Sequence, residues 1–406
     1  MASANQDPSS LEAKKAEAKA IGLPLTPADL KIESVPDSQN GAILVDQVVQ
    51  KAHTDSALKG RLALIEKTRQ KTATDADRQL ALVVLDNLKD EMDLMLAATE
   101  KPKCIFPIDW SNLLTRDGGY LRVTQEIVRA FCLKAEQLSS AGDSTGALTQ
   151  LEDGHKVSKL FEGNPGRVNS SSQIVCDLDI EKSLHRILAA HRYDATFLAA
   201  AKKMHDGFGP IPDYRFAFRT EMVYVLANIE QMTTPRAEMN QADLTEEEWN
   251  TRVTFSEKGV MKEHTLTAYT AFFSVLPKNP ERWKVVLEVA RDAFRQLFPE
   301  SDEISRGAFR LFNTKDLFGW DYLIAAYARD RTLRRLNDTS ILVLQSIAQT
   351  GKAPPTLPDF GETSTDPMTG FNFKYESSGR SFKLISEGPG PLDYDTKFGH
   401  DEFSFD

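Results

Sequence analysis

Three carboxylates close to the end of the chain, Asp393, Asp395 and Asp401, are the residues whose type and spacing could do chemistry. Carboxylate oxygens are hard ligands, and Gly388, Gly390 and Gly399 would let the intervening backbone turn its carbonyls inward, as a calcium loop requires. The pattern is not an EF-hand, which needs D-x-D-x-D-G and a glutamate at its end. The competing reading is an acidic tail docked on the body. Tyr394, Phe398, Phe403 and Phe405 favour docking over disorder, because disordered segments are poor in aromatics.

The histidines offer less. His53, His155, His185, His191, His205, His264 and His400 contain no HExxH and no pair four residues apart, so metal-ligand spacing is absent. Glu181 and His185 share a helix face, which chance supplies often. No Walker loop or G-x-G-x-x-G occurs, so a phosphate site would have to be assembled from distant positions, and the lone serines, cysteines and histidines have no local partner signature of a nucleophile site. The cluster Arg329, Arg331, Arg334 and Arg335 reads as a helix face that pairs with the acidic tail or with solvent, since the chain as a whole is acidic.

The elements that would position these residues are helices. Apolar spacing predicts helices over 9–20, 41–52, 56–70, 74–99, 120–140, 145–161, 167–191, 194–205, 216–232, 260–276, 281–298 and 320–349. The stripe Leu80, Val83, Val84, Leu88, Met92 and Met95 predicts the core face of the fourth of these. Ala141-Gly142-Asp143 stops one helix and caps the next, which predicts an antiparallel pair resembling one tetratricopeptide unit, with no second copy at a fixed period. Pro24, Pro27 and Pro36 keep residues 21–40 extended as a strap around the later helices. In the loop 101–112, Pro102 and Pro107 fix the path and Phe106 and Trp110 insert into the body. After the proline-stiffened 351–358, period-two alternation through Phe371, Phe373, Tyr375, Phe382 and Leu384 across Ser377–Arg380 predicts a β-hairpin. The fold expected is mainly α, irregular antiparallel helical hairpins with a small C-terminal β-hairpin. It divides into an arm and strap (1–40), a helical body (41–350), and a linker, hairpin and acidic tail (351–406).

Composition bounds the function. A chain of 406 residues with 41% hydrophobic residues can bury a large core, and a net charge of -10 argues against non-specific nucleic-acid binding. Residues 357–406 hold ten Asp or Glu against four Lys or Arg, so the tail carries most of the acidity. Cys104, Cys132 and Cys176 lack CxxC spacing, which predicts buried thiols. No apolar run approaches the roughly 18 to 20 residues of a membrane helix, so contact with a membrane would need an N-terminal anchor ahead of Met1.

Four landmarks carry a resemblance: IGLPLTPADLKIESVPDSQNGA (21–42), AEQLSSAGDSTGALTQLEDG (135–154), GKAPPTLPDF (351–360) and DPMTGFNFKYESSGRSFKLISEGP (366–389). Together they resemble a group of helical envelope-type proteins of planctomycete- and armatimonad-like bacteria, usually made with an N-terminal anchor or signal. The last landmark is also similar to the C-terminal end of type II secretion major pseudopilins, where a hairpin precedes a calcium loop. Here Ile385-Ser386-Glu387-Gly388 stands where that family has tyrosine and serine before the glycine, and Gly390-Pro391 replaces its Asp-Gly. The ligand-rich part is therefore shifted to Asp393, Asp395 and Asp401, or lost.

The resemblance implies a non-enzymatic, extracytoplasmic or envelope-associated binding or structural protein with a protein partner and no cofactor beyond calcium. Two alternatives stand beside it. One is a helical hydrolase-type enzyme gathering residues such as His185, His191, His264, Glu221 and Asp321; the other is a subunit of a filament or secretion apparatus. The calcium reading expects added calcium to raise the melting temperature and a chelator to reverse the rise; no shift in either direction removes it.

Overall fold

The computed structural model describes residues 8–70, 72–108, 110, 118–231, 258–276, 282–286, 288–289, 319–388 and 401–405. The protein is mainly α with a small C-terminal antiparallel sheet. The helices are α1 (Pro8–Ala20), α2 (Ala42–Thr54), α3 (Ser56–Lys67), α4 (Asp75–Val84), α5 (Lys89–Thr99), α6 (Gly119–Ser140), α7 (Ser144–Ser158), α8 (Arg167–Ala190), α9 (Ala195–Asp206), α10 (Arg215–Gln231), α11 (Lys258–Val275) and α12 (Gly319–Thr350). Most begin and end within two residues of where apolar spacing predicts. The polar stretch 233–250 and most of 281–298 lie outside the described residues.

The turn between α6 and α7 shows why the spacing works. Gly142 takes φ 86°, the left-handed conformation that costs glycine nothing. It lets the Asp143 amide donate back to the Leu138 carbonyl and the Gly142 amide to that of Ser139, which closes a Schellman stop. Asp143 then caps α7 by accepting from the Gly146 amide at 2.8 Å. With three residues between them the two helices fold back on each other. At their contact Gly154 allows close approach, since a Cβ there would sit 3.2 Å from that of Phe131.

The 74–99 segment differs from expectation. A 3-10 turn at Leu85–Leu88 divides it into α4 and α5, and the buried stripe runs through Ala81, Leu85, Leu88, Met92, Met95 and Ala98. Leu80 and Val83, expected in the core, are 52% and 74% exposed. Large apolar residues occupy both faces of α4, and the small Ala81 marks the inner one. Ile43, at the start of α2, is likewise exposed.

Two apolar cores result. The larger is built from α2 to α9, the C-terminal half of α12 and the sheet. The smaller joins α10, α11 and the first half of α12 to Ala18 of α1 and Leu23 of the strap. No helix among the described residues is long and apolar enough to cross a membrane.

The sheet has three strands, β1 (Lys374–Ser378), β2 (Ser381–Ile385) and β3 (Glu402–Phe405), in that order and antiparallel. Gly379, with φ 62°, opens the two-residue turn between β1 and β2, as a type II′ hairpin requires. The third strand comes from the acidic tail, and its Phe403 and Phe405 dock it on the body; Tyr394 and Phe398 lie outside the described residues. Phe382 faces Phe405 across the ladder with rings stacked at 4.8 Å, and His185 of α8 stacks on Phe403 at 3.8 Å. The proline linker does not hold the sheet apart. Ala353 donates to the Gly379 carbonyl at 2.8 Å, and the Tyr375 and Ser377 hydroxyls both donate to the Pro354 carbonyl.

Phe405 is buried against a ring on each side, so Phe405→Ala removes apolar contact that the helices cannot collapse to refill. A loss of about 3 to 5 kcal/mol in denaturant unfolding is expected, whereas Glu402→Gln on the outer face of the same strand should leave the unfolding midpoint nearly unchanged.

Candidate functional site

Two arrangements stand out, a network of charges inside the helical body and a groove beside it. The network begins on α8, where Asp177 and Glu181, one turn apart, point the same way into the core. From α12 come Asp330, Arg334, Asn337 and Asp338, again at helical spacing, from α9 Lys202 and His205, and from α7 His155 and Ser158. His205 bridges two helices: its Nδ1 lies 3.0 Å from Asp338 Oδ1 and its Nε2 3.0 Å from Glu181 Oε2. Asn337 Nδ2 donates to the same Glu181 oxygen at 2.7 Å. Ser158 donates to Asp177 at 2.7 Å, and Arg334 stands 3.6 Å from both Asp177 and Glu181 while donating to the Gly209 carbonyl at 3.1 Å.

Burial acts on each group, and its neighbours decide the outcome. Desolvation alone would strip the proton from His205, but the carboxylates of Glu181 and Asp338 outweigh it and raise the pKa to about 10. Asp338 is held below its ordinary value against burial by His205 and Lys202, and Asp177 likewise by His155, Arg334 and Ser158. Asp330 goes the other way. Burial, with the charges of Asp177 and Glu181 nearby, overrides Arg334 at 3.8 Å and pushes its pKa up to about 8. Neither of its carboxyl oxygens has a hydrogen-bond partner among the described residues.

The groove encloses about 520 Å³. Its walls are the strap at Leu30–Glu33, the end of α5 with the following loop to Ile105, Lys156 of α7, the turn at Lys159–Leu160, residues 162–165, and Phe216 and Thr220 of α10. Two buried asparagines hold the irregular walls in place. Asn40 donates to the Ile105 carbonyl at 2.9 Å and accepts from the Ile105 amide at 2.9 Å, while Asn164 accepts from the Phe106 amide and donates to the Cys104 carbonyl at 2.7 Å. Phe106, thus fixed, stacks on Tyr120 at 3.9 Å, and Trp110 lies 4.7 Å from Tyr224, so both aromatics insert into the body as the loop sequence predicts.

Five lysines line the groove, Lys31, Lys101, Lys103, Lys156 and Lys159, against two glutamates, Glu33 and Glu162. Lys103 lies 3.7 Å from Glu33, Lys156 pairs with Glu152 and Asp153, and Lys101 donates to the Ser38 carbonyl. Lys31 and Lys159 form no ion pair among the described residues. Lys31 also has φ 51°, the one positive value at a non-glycine among the described residues. An L side chain pays for that conformation with strain, of order 1 kcal/mol or more.

The residues singled out from the sequence fall in several places. Asp393 and Asp395 lie outside the described residues. Asp401 is held by Arg329, whose Nη2 donates at 2.6 Å and whose Nε donates to both carboxylate oxygens, so the arginine cluster does meet the acidic tail. Arg335 turns to Glu362 and the Thr365 carbonyl, and Arg334 turns inward to the network. No group of three or more His, Cys, Asp or Glu among the described residues is arranged to hold a metal. His185 lies under Phe403, and burial with Arg186 nearby lowers its pKa to about 4. His191 Nε2 is 2.9 Å from Ser139 Oγ, and Glu221 accepts from the Arg167 amide at 2.9 Å, so these three do not converge. The side chains of His264 and Asp321 lie outside the described residues. Cys132 and Cys176 are buried thiols and Cys104 is half-buried; burial pushes Cys104 and Cys132 to about 12.

Sequence reasoning missed the network. Glu181 meets His205, not the His185 one turn along its own helix. The available signal was the spacing of Asp330, Arg334 and Asp338 on one face of a helix between two runs apolar on all sides, Leu323–Ala328 and Ile341–Leu344, where a charge drawn into the interior must find a partner. The chain matches no protein-family model, no curated protein and no solved structure in comparison.

Above the range in which Asp177 and Asp338 titrate, the network makes stability fall with rising pH. His205 holds its proton to about pH 10 when folded and to 6.5 when unfolded, so its contribution is complete below 6.5 and is lost toward 10. Asp330 keeps a proton to about pH 8 in the folded state that the unfolded chain releases near 3.8, which lowers stability across that window. The melting temperature should therefore drop between pH 6.5 and 10. Asp330→Asn, which cannot ionise, should melt higher than the parent at pH 8, and equal melting at every pH would refute the assignment. His205→Ala leaves Glu181 and Asp338 without their shared cation and should lose about 3 to 5 kcal/mol at pH 7.

Proposed function

We propose that the chain is a non-enzymatic binding or structural protein of the extracytoplasmic space or cell envelope, and that the lysine-rimmed groove is the face that takes its partner. The groove carries this reading. It is open to solvent, its irregular walls are pinned by buried asparagines, and it combines an apolar floor (Leu30, Ile105, Leu160, Phe216) with cations that have no ion-pair partner among the described residues. The groups best suited to acid–base work, His205, Glu181 and Asp338, are committed to one another between helices. The tight α6–α7 pair supports a tetratricopeptide-like use of helical hairpins as a binding scaffold. Envelope association, and a pseudopilin-like role for the C-terminal sheet, rest on the resemblance of the strap, linker and hairpin sequences.

An apolar sulfonate dye, 8-anilinonaphthalene-1-sulfonate, matches both features of the groove and serves as a probe. It should bind with enhanced fluorescence, and Lys31→Glu with Lys159→Glu should weaken it about tenfold, a loss of about 1.4 kcal/mol. Dye binding unchanged in that double variant would overturn the groove as a binding face. Turnover of ester, peptide or phosphate substrates that His205→Gln abolishes without unfolding the chain would overturn the non-enzymatic reading.

A further inference from the structure

Four consecutive residues of the strap, Ile32, Glu33, Ser34 and Val35, form neither helix nor ladder, and Ile32 and Glu33 belong to the groove wall. Their amides donate to no backbone or side-chain acceptor among the described residues, and no backbone amide there donates to their carbonyls. Pro36 holds Val35 away from helical conformations. Both ends of this stretch are tied down. Upstream, Asp29 accepts from the Leu25 and Thr26 amides at 2.9 Å and Lys31 sits in its left-handed turn with its amide on the Ala28 carbonyl. Downstream, a 3-10 turn at Asp37–Gln39 leads into Asn40, clamped to Ile105, and Gly41, whose amide donates to the Lys103 carbonyl at 2.7 Å. The segment is an open backbone edge, fixed at each end, beside a groove with excess positive charge.

We infer that this groove binds an extended acidic peptide segment, which pairs its backbone with Ile32–Val35 and alternates apolar side chains onto the floor with carboxylates toward Lys31 and Lys159. The inference rests on the groove being the binding face, and it names the partner. Pairing along an exposed edge supplies main-chain hydrogen bonds whatever the sequence, and the pockets beside it supply the selection. Successive side chains of an extended strand point to opposite sides, so a period-two peptide presents one apolar and one charged row at once. Four residues of edge span about 13 Å at strand rise, enough for three or four partner residues. The charge argument is local. On a chain of net charge -10, an acidic partner is repelled by the general surface and attracted only where lysines outnumber acids, which favours the groove and raises selectivity there. A pinned edge also loses little conformational freedom on pairing.

The test is fluorescence anisotropy of the full chain with a labelled hexapeptide alternating glutamate and valine, beside the matching lysine–valine peptide, with dodecanoate and the sulfonate dye as free amphiphilic anions. The acidic peptide should bind, weaken as salt is raised, and weaken about tenfold in the variant carrying Lys31→Glu and Lys159→Glu. Ser34→Pro, at an exposed position, removes one of the open amides and should weaken the peptide while leaving the dye unaffected. Thermal melts of both variants confirm that the body is folded. Equal affinity for the lysine–valine peptide, or an acidic-peptide affinity indifferent to Ser34→Pro, overturns strand pairing with an acidic segment. Binding of dodecanoate or the dye without binding of the peptide overturns the inference and leaves the groove as a binding face; binding of none of them overturns both.

Discussion

Helix α12 crosses the body with almost every side chain covered, yet it carries Asp330, Arg334 and Asn337 into that interior, with Asp338 half-buried at its edge. Taking a charge out of water carries a penalty of several kcal/mol unless a partner and hydrogen bonds replace the solvent. The partners come from three other helices, and their positions leave little freedom in how the helices sit. Glu181 must reach His205 and Asn337 at once, and Arg334 must reach Asp177, Glu181 and the Gly209 carbonyl. With Asp330 protonated, the carboxylates Asp177, Glu181 and Asp338 face the cations His205, Arg334 and Lys202, and the interior is close to neutral. Apolar contact alone would let α8, α9 and α12 slide by a turn; the paired charges set one register.

The groove depends on that register at one remove. His155 and Ser158 face the network from α7, and His155 both stacks on Phe208 at 4.0 Å and lies 3.0 Å from its carbonyl. Lys156 and Lys159, on the same stretch of chain, face the groove. The opposite wall is made of segments with no regular structure, which could not hold a shape through ladder bonds. Buried amide side chains do it instead: each of Asn40 and Asn164 satisfies a donor and an acceptor of the loop 104–106, meeting the demand that buried backbone groups be paired. A site assembled this way keeps its cations at the surface and its fastening inside.

The C-terminal sheet uses the same division. Its inner face adds Phe382, Leu384, Phe403 and Phe405 to the larger core, and its base is closed by Asp366, which accepts from the Ser386 hydroxyl and the Met368 and Glu387 amides. Arg329 and Asp401 then join α12 to the start of β3, so the long helix anchors both the charge network and the returning tail.

Local interactions are legible in the sequence. Helix spans, the glycine stop between α6 and α7 and the β1–β2 turn follow from residue spacing and from glycine's access to positive φ, all written within a few residues of where they act; the rings of Phe403 and Phe405 mark the tail for burial but not the helix that receives it. Even there, the 3-10 turn at Leu85–Leu88 leaves no mark in the spacing, because Leu80 and Val83 are as apolar as the residues that face inward. What only the tertiary structure decided is which charges meet. Glu181 and Asn337 are 156 residues apart, His205 and Asp338 133, and Asn40 and Ile105 65. A charged residue in a sequence carries the requirement for a partner but no direction toward one, whereas the folded core, by excluding water, leaves each buried charge only the neighbours that packing brings within reach.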